Sequence, residues 1–177
     1  VAGLHPGIVR SPLNIAEQQA QMLANRVRKN ARHRRKWARR TGVSCYRIYD
    51  RDIPELPLAI DWYEGRLYLA EYAGHRADER DQDVVRIWGE AVCAALDVPV
   101  ESLYIKTRSR QRGREQYTRL ERTDSRFIVG EGSLKFYVNL TDFLDTGLFL
   151  DHRVTRSLVR DMSNGCRVLN LFAYTGS

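Results

Sequence analysis

Gly165-Cys-Arg-Val-Leu-Asn-Leu-Phe-Ala-Tyr-Thr-Gly-Ser177 is the stretch whose reading decides the fold. Val168 to Phe172 is a short apolar run bounded by turn formers, the pattern of a fully buried strand. It breaks into Tyr174-Thr-Gly176, where a glycine lets the backbone turn sharply and approach a ligand. In a doubly wound sheet the ligand crevice lies at the carboxyl ends of the strands, so this turn would form its floor. A helix beginning there would aim free amide groups at a carboxylate or phosphate.

Working outward, Asp151 is placed to cap a helix through Val154, Leu158, Val159 and Met162, and Ser163-Asn164-Gly165 to end it. Upstream, Arg126–Val129 and Leu134–Leu140 predict a hairpin around Gly130-Glu-Gly132. Leu58–Tyr63 and Arg66–Tyr72 predict another around Glu64-Gly65, whose glycine takes the positive φ of the turn. Cys45–Tyr49 and Leu103–Thr107 read as strands. Between them Asp81 caps a helix with Val84, Val85, Ile87, Trp88, Ala91, Val92, Ala95 and Leu96 at amphipathic spacing, which makes Trp88 a core residue.

Two segments are basic. A helix opening on an Asn14/Glu17 capping box runs to about Arg40 over a thin apolar face of Ile15, Met22, Leu23, Val27 and Trp37. It carries Arg28, Lys29, Arg32, Arg34, Arg35, Lys36 and Arg39. A run of charge is ordinarily a solvated face, but this one is almost all one sign, without acidic partners at i+4. The second segment sets Arg108, Arg110, Arg112 and Arg114 near Tyr117, lacks apolar periodicity, and reads as an exposed loop. Guanidinium forks match phosphates and a tyrosine ring stacks on bases, so both segments point to RNA. The totals agree: 29 Lys and Arg against 22 Asp and Glu give a formal charge of +7, which favours a polyanionic partner.

Other chemistries fit poorly. No apolar run is long enough to span a membrane, and Val1–Arg10 lacks a signal-peptide core. Cys45, Cys93 and Cys166 are odd in number and far apart, which predicts free thiols in a reducing cytoplasm. The four histidines are scattered, with no zinc spacing and hence no metal expected. Asp145-Thr-Gly147 has the letters of an aspartic protease, yet such a site needs two carboxylates sharing a proton and no second copy exists.

Two segments taken together carry a resemblance. Tyr137-Val-Asn-Leu-Thr-Asp-Phe-Leu-Asp-Thr-Gly-Leu-Phe-Leu-Asp-His-Arg153 and Val168-Leu-Asn-Leu-Phe-Ala-Tyr-Thr-Gly-Ser177 resemble the S-adenosylmethionine methyltransferases that modify bacterial 23S ribosomal RNA. The match is to the K/L type, in its C-terminal, guanine-N7-modifying half. It continues upstream through Asn25–Asn30, Lys36–Arg40, Cys45–Asp50 and Lys106–Arg112, and covers nearly the whole chain from residue 16. The resemblance implies an α+β fold in three parts. A lead-in and basic linker helix fill 1–41, a small strand-strand-helix-strand-strand RNA-facing domain fills 42–148, and 149–177 begins a Rossmann-like methyltransferase domain. It also implies that Thr146, Phe149, Asp151 and Arg153 lie by the methionine end of S-adenosyl-L-methionine. Arg153 would pair with the carboxylate and Asp151 with the ammonium. Asn170, Phe172, Tyr174, Thr175, Gly176 and Ser177 would form the first cofactor loop. Asn170 stands where many methyltransferases carry an acid, and this loop has one glycine rather than three. The catalytic residues, the ribose-gripping acid and the target-base pocket are expected beyond Ser177. A fused N-terminal methyltransferase half could precede Val1 in the parent protein. The alternative reading is a non-catalytic RNA-binding module.

Overall fold

The computed structural model describes residues 12–72, 82–108, 120, 123–171, 175 and 176. Helix α1 (Pro12–Thr41) leads into strand β1 (Cys45–Asp50) and the hairpin β2 (Leu58–Tyr63) and β3 (Arg66–Tyr72). Helix α2 (Gln82–Leu96) connects to β4 (Leu103–Arg108), then β5 (Arg126–Glu131) and β6 (Leu134–Asn139) make a second hairpin, and α3 (Arg153–Met162) follows. The four-stranded sheet has the order β1-β2-β3-β4. Its first three strands are antiparallel and β4 is parallel to β3. A parallel neighbour requires a crossover, which α2 supplies. The observed order is therefore three strands, a helix and a strand, with the second hairpin as a separate two-stranded sheet.

Helices α1 and α2 cover one face of the sheet in a single core that includes Leu23, Val27, Tyr49, Ile60, Leu69, Trp88 and Val92. The apolar stripe of α1 differs from the expected one. Ile15 and Met22 are 44% and 51% exposed, whereas Ala16, Ala20, Ala24, Ala31 and Ala38 are buried. Alanine keeps the helix close to its neighbours at no side-chain entropy cost, so the contact face is built from small residues. The expected capping box is absent, because the helix already begins at Pro12 and Asn14 Oδ1 accepts from Gln18 Nε2 at 2.8 Å. Close approach also fixes Gly89 of α2: a Cβ there would lie 2.6 Å from Leu103 Cδ2.

The register of the β2–β3 hairpin places both turn residues, Glu64 (φ 48°) and Gly65 (φ 87°), in the left-handed region, as a two-residue turn between twisted strands demands. Strand β1 carries an irregularity between Arg47 and Tyr49. Ile48 and Tyr49 both reach the helix-side core as a result, which simple alternation does not predict. In the second hairpin Gly130 and Glu131 belong to β5, so the turn is Gly132-Ser133 rather than Gly130-Glu-Gly132.

Two expectations at the C-terminal end fail. Asp151 does not cap α3 but sits in a short 3-10 turn, Leu150–His152, and no side-chain cap bond is made. Residues 168–171 form no strand, and Val168, Leu169 and Leu171 are 61%, 82% and 77% exposed. An apolar run becomes a strand only beside a partner edge, and none lies beside it among the described residues. The expected helix cap Asp81 lies outside the described residues. No helix among them is long and apolar enough to cross a membrane.

Candidate functional site

The sheet face opposite the helices is covered in part by the second hairpin, which packs Val129 and Val138 against Cys45, Ala59, Tyr63, Tyr68 and Ala70. Next to the hairpin the segment 145–153 stands off the sheet and leaves a cleft of about 540 Å³. Arg47, Asp61, Tyr63, Tyr68 and Tyr72 form the sheet wall, Asp145 to Asp151 with Arg153 form the opposite wall, and Arg34 and Trp37 of α1 close one side.

Hydrogen bonds between the walls fix the cleft's width. The hydroxyls of Tyr63 and Thr146 are 3.1 Å apart, and the Tyr68 hydroxyl donates to the Leu144 carbonyl. Burial pushes the Tyr63 phenol well above its usual pKa, so it stays protonated. On the sheet wall Asp61 is 5% exposed and accepts from Arg47 Nε at 2.8 Å and Nη2 at 3.2 Å. That hydrogen bond raises the Arg47 pKa, and the buried charge is therefore paired.

Arg153 is held from three sides. Its Nη2 donates to the Cys45 carbonyl at 2.8 Å, its Nε lies 3.3 Å from Glu131 Oε2, and its guanidinium sits 5.0 Å from the Trp37 ring centroid. Glu131, 7% exposed, accepts hydrogen bonds from Arg156 Nε at 3.0 Å and Nη2 at 2.7 Å, whereas the buried Arg153 Nε–H pairs with it by charge alone and makes no hydrogen bond among the described residues. Hence the buried Glu131 is shared by two arginines, and the start of α3 is tied to β1 and β5.

The four residues expected at the methionine end, Thr146, Phe149, Asp151 and Arg153, come together on one wall. Thr146 is buried, Arg153 is half-buried, and Phe149 and Asp151 are exposed. Of the expected cofactor loop, Thr175 Oγ1 donates to the Gly147 carbonyl at 2.7 Å, which brings that loop against the same wall. Gly176 has φ 76°, in the left-handed region, while Asn170 is exposed. Phe172, Tyr174 and Ser177 lie outside the described residues.

The cations of α1 are exposed and divide between two faces. Arg28, Arg32, Arg35, Lys36 and Arg39 line a shallow groove of about 390 Å³ beside the end of α2, where Arg35 Nη2 donates to the Leu96 carbonyl at 3.4 Å. Arg34 faces the cleft instead. Lys29 is exposed as well. Arg108 ends β4, and Arg110, Arg112, Arg114 and Tyr117 lie outside the described residues. Just beyond that segment, Asp142 is fully buried and accepts from the Thr123 N–H at 2.9 Å, the Thr123 hydroxyl at 2.7 Å, the Asp124 N–H at 3.0 Å and Asn139 Nδ2 at 3.1 Å.

Residue patterns alone missed Trp37, Glu131, Asp142 and the Arg47–Asp61 pair. One signal was available for the last: Asp61 interrupts the apolar run Leu58–Tyr63, and a charge there must find a partner.

Comparison with known proteins fits this arrangement. The S-adenosylmethionine-dependent methyltransferase family matches residues 45–177. A ribosomal RNA large subunit methyltransferase K/L from Methylococcus capsulatus is 44% identical over 168 residues, 92% of this chain and 23% of that protein. Its counterpart from Chromohalobacter salexigens is 46% identical over 160 residues, 89% of this chain and 22% of that protein. The chain thus spans under a quarter of the length of these relatives. Among solved structures, a putative methyltransferase from Streptococcus mutans superposes with a TM-score of 0.60 at 22% identity, covering 88% of this chain and 39% of that one. A putative methyltransferase solved with SAH gives 0.52 at 20% identity, covering 79% and 35%. With its family match over most of its length and these close relatives, the chain belongs to the S-adenosylmethionine-dependent methyltransferase family.

Proposed function

We propose that the chain is the RNA-facing part, and one edge of the cofactor site, of a cytoplasmic methyltransferase that modifies guanine in 23S ribosomal RNA. Its parts are the basic helix to residue 41, the small α+β domain over 42–148, and the start of a Rossmann-like domain from 149. The observation that carries the reading is the convergence of Thr146, Phe149, Asp151 and Arg153 on one wall of the cleft.

The residues present fit the methionine end of the cofactor. An exposed carboxylate, Asp151, and a clamped guanidinium, Arg153, line the same cleft. An amino acid carries an ammonium and a carboxylate, which such a pair matches with charge-assisted hydrogen bonds. The cofactor supplies an activated methyl group when bound. Arg153 and Asp151 then fix its amino-acid end, and Thr175 braces the adjoining loop on Gly147. The exposed cations of α1 hold RNA phosphates. Alignment of this kind can supply several kcal/mol of a transfer barrier.

Binding of S-adenosylhomocysteine, followed by calorimetry, tests the reading. Arg153→Ala should weaken binding by about tenfold or more, the loss of one charge-assisted hydrogen bond or more. Unchanged affinity would remove Arg153 from the site and favour the RNA-binding module without catalysis.

A further inference from the structure

Arg153 is more rigidly held than a surface cation needs to be, and its holders come from three separate elements: Trp37 from α1, Cys45 from β1 and Glu131 from β5. Arginine side chains carry much rotamer freedom, and ordering one at the moment of binding costs affinity. Here that freedom is removed in advance. Glu131 forms an ion pair at Nε and the Cys45 carbonyl takes Nη2, while the Trp37 ring lies against the guanidinium. Trp37 is only partly buried, and both Trp37 and Arg153 line the cleft. Arg34, one helical turn before Trp37, lines it too.

We propose that Trp37 and Glu131 are positioning residues for recognition of the cofactor's carboxylate, acting through Arg153. The inference rests on the assignment of Arg153 to that carboxylate. It gives the basic helix a second task, because the helix that presents cations to RNA also supplies the ring under the cofactor-binding arginine. The Cys45 carbonyl and the Trp37 ring orient the guanidinium, and Glu131, hydrogen-bonded to Arg156, holds its charge in place at 3.3 Å without consuming a donor of Arg153. Movement of α1 on engaging RNA would be felt at Arg153 through a single ring.

The test compares two ligands in the full-length protein. S-Adenosylhomocysteine carries the amino-acid end and 5′-methylthioadenosine lacks it. Trp37→Leu and Glu131→Gln should each raise the dissociation constant for S-adenosylhomocysteine by about tenfold, the scale of one desolvated cation–π contact or ion pair. Both should leave 5′-methylthioadenosine unchanged, and Trp37→Phe, which keeps an aromatic face, should restore most of the loss. The Arg153 Nε–H resonance gives a readout without ligand: sharp and slow to exchange in the parent, shifted in Trp37→Leu as the ring is lost, and exchange-broadened in Glu131→Gln. Equal losses for both ligands would mean a structural role only and overturn the proposal, as would no loss for either. If the parent itself fails to prefer S-adenosylhomocysteine, the assignment of Arg153 falls and takes the inference with it. If the parent prefers it and the variants keep that preference, the inference alone falls.

Discussion

Asp142 shows what a single residue contributes to this chain. Its carboxylate is fully buried, and its donors include two backbone N–H groups, the hydroxyls of Thr123 and Thr141, and an asparagine amide. Its own N–H donates to Asn139 Oδ1 at 2.8 Å and its carbonyl accepts from the Leu120 N–H at 2.6 Å. Replacing it with alanine leaves buried donors unsatisfied, and hydrogen bonds to a charged group are the costly ones to lose. Asp142→Ala should therefore lower stability by about 3 kcal/mol in urea unfolding; a loss under about 1 kcal/mol would mean that water replaces the carboxylate. The buried thiols set a pH limit. Burial pushes Cys45 up to about 11 from 9.0, with the Arg153 charge partly opposing, and burial likewise pushes Cys93 up to about 11. Because the folded state holds these protons more tightly than the unfolded chain, their contribution is whole below pH 9 and is lost as pH rises towards 11. Thermal melts across that range should fall steadily, and Cys45→Ser with Cys93→Ala should flatten the fall. At neutral pH an alkylating reagent should take Cys166, which is exposed, well before the other two.

Among the elements, α1 is the one whose charge has a geometry. Arg28, Arg32, Arg35, Lys36 and Arg39 recur at spacings of three and four, which stacks them along one face about 5–6 Å apart. Phosphates held by such a row release counterions. Replacing Arg32, Lys36 and Arg39 with alanine should weaken binding to unrelated RNA sequences and flatten the log–log salt slope by about two units, at roughly 0.7 per phosphate on single strands. If affinity and slope both survive, the row is solvated surface and nothing more. The C-terminal elements behave in the opposite way. Helix α3 leaves Val154, Leu158, Val159 and Met162 between 48% and 79% exposed, and residues 168–171 make no ladder. Amides of 168–171 should exchange freely in this chain while those of β2 and β3 are protected. Full protection of that run in a monomer would show a pairing that the structure lacks.

At the scale of the whole molecule, the elements legible in the sequence were those with local signals. Glu64-Gly65 fixed its hairpin, and the spacing of Val85, Trp88, Val92 and Leu96 fixed α2. Where the deciding partner is distant in sequence, the local pattern does not reach the answer. The alanine face of α1 is set by α2, the double inward pair Ile48–Tyr49 by a register shift against β2, and the fate of 168–171 by strands that are not beside it. The site divides in the same way. Thr146 to Arg153 was visible as a contiguous segment by resemblance, whereas Trp37, Glu131 and Cys45 meet Arg153 only after folding. The final prediction follows from what this chain does and does not bring together. It presents a cationic helix and one wall of the proposed methionine-end site, yet it spans under a quarter of its relatives' length, and its apolar residues Val168, Leu169 and Leu171 are exposed. RNA binding needs only the first of these features, and methyl transfer needs a closed cofactor crevice. The 177-residue chain should therefore bind ribosomal RNA with a salt-dependent affinity while incorporating no labelled methyl group from S-adenosylmethionine. Measurable transfer would show that a crevice edge suffices for the reaction, and salt-independent binding would show that α1 is not where the RNA lies.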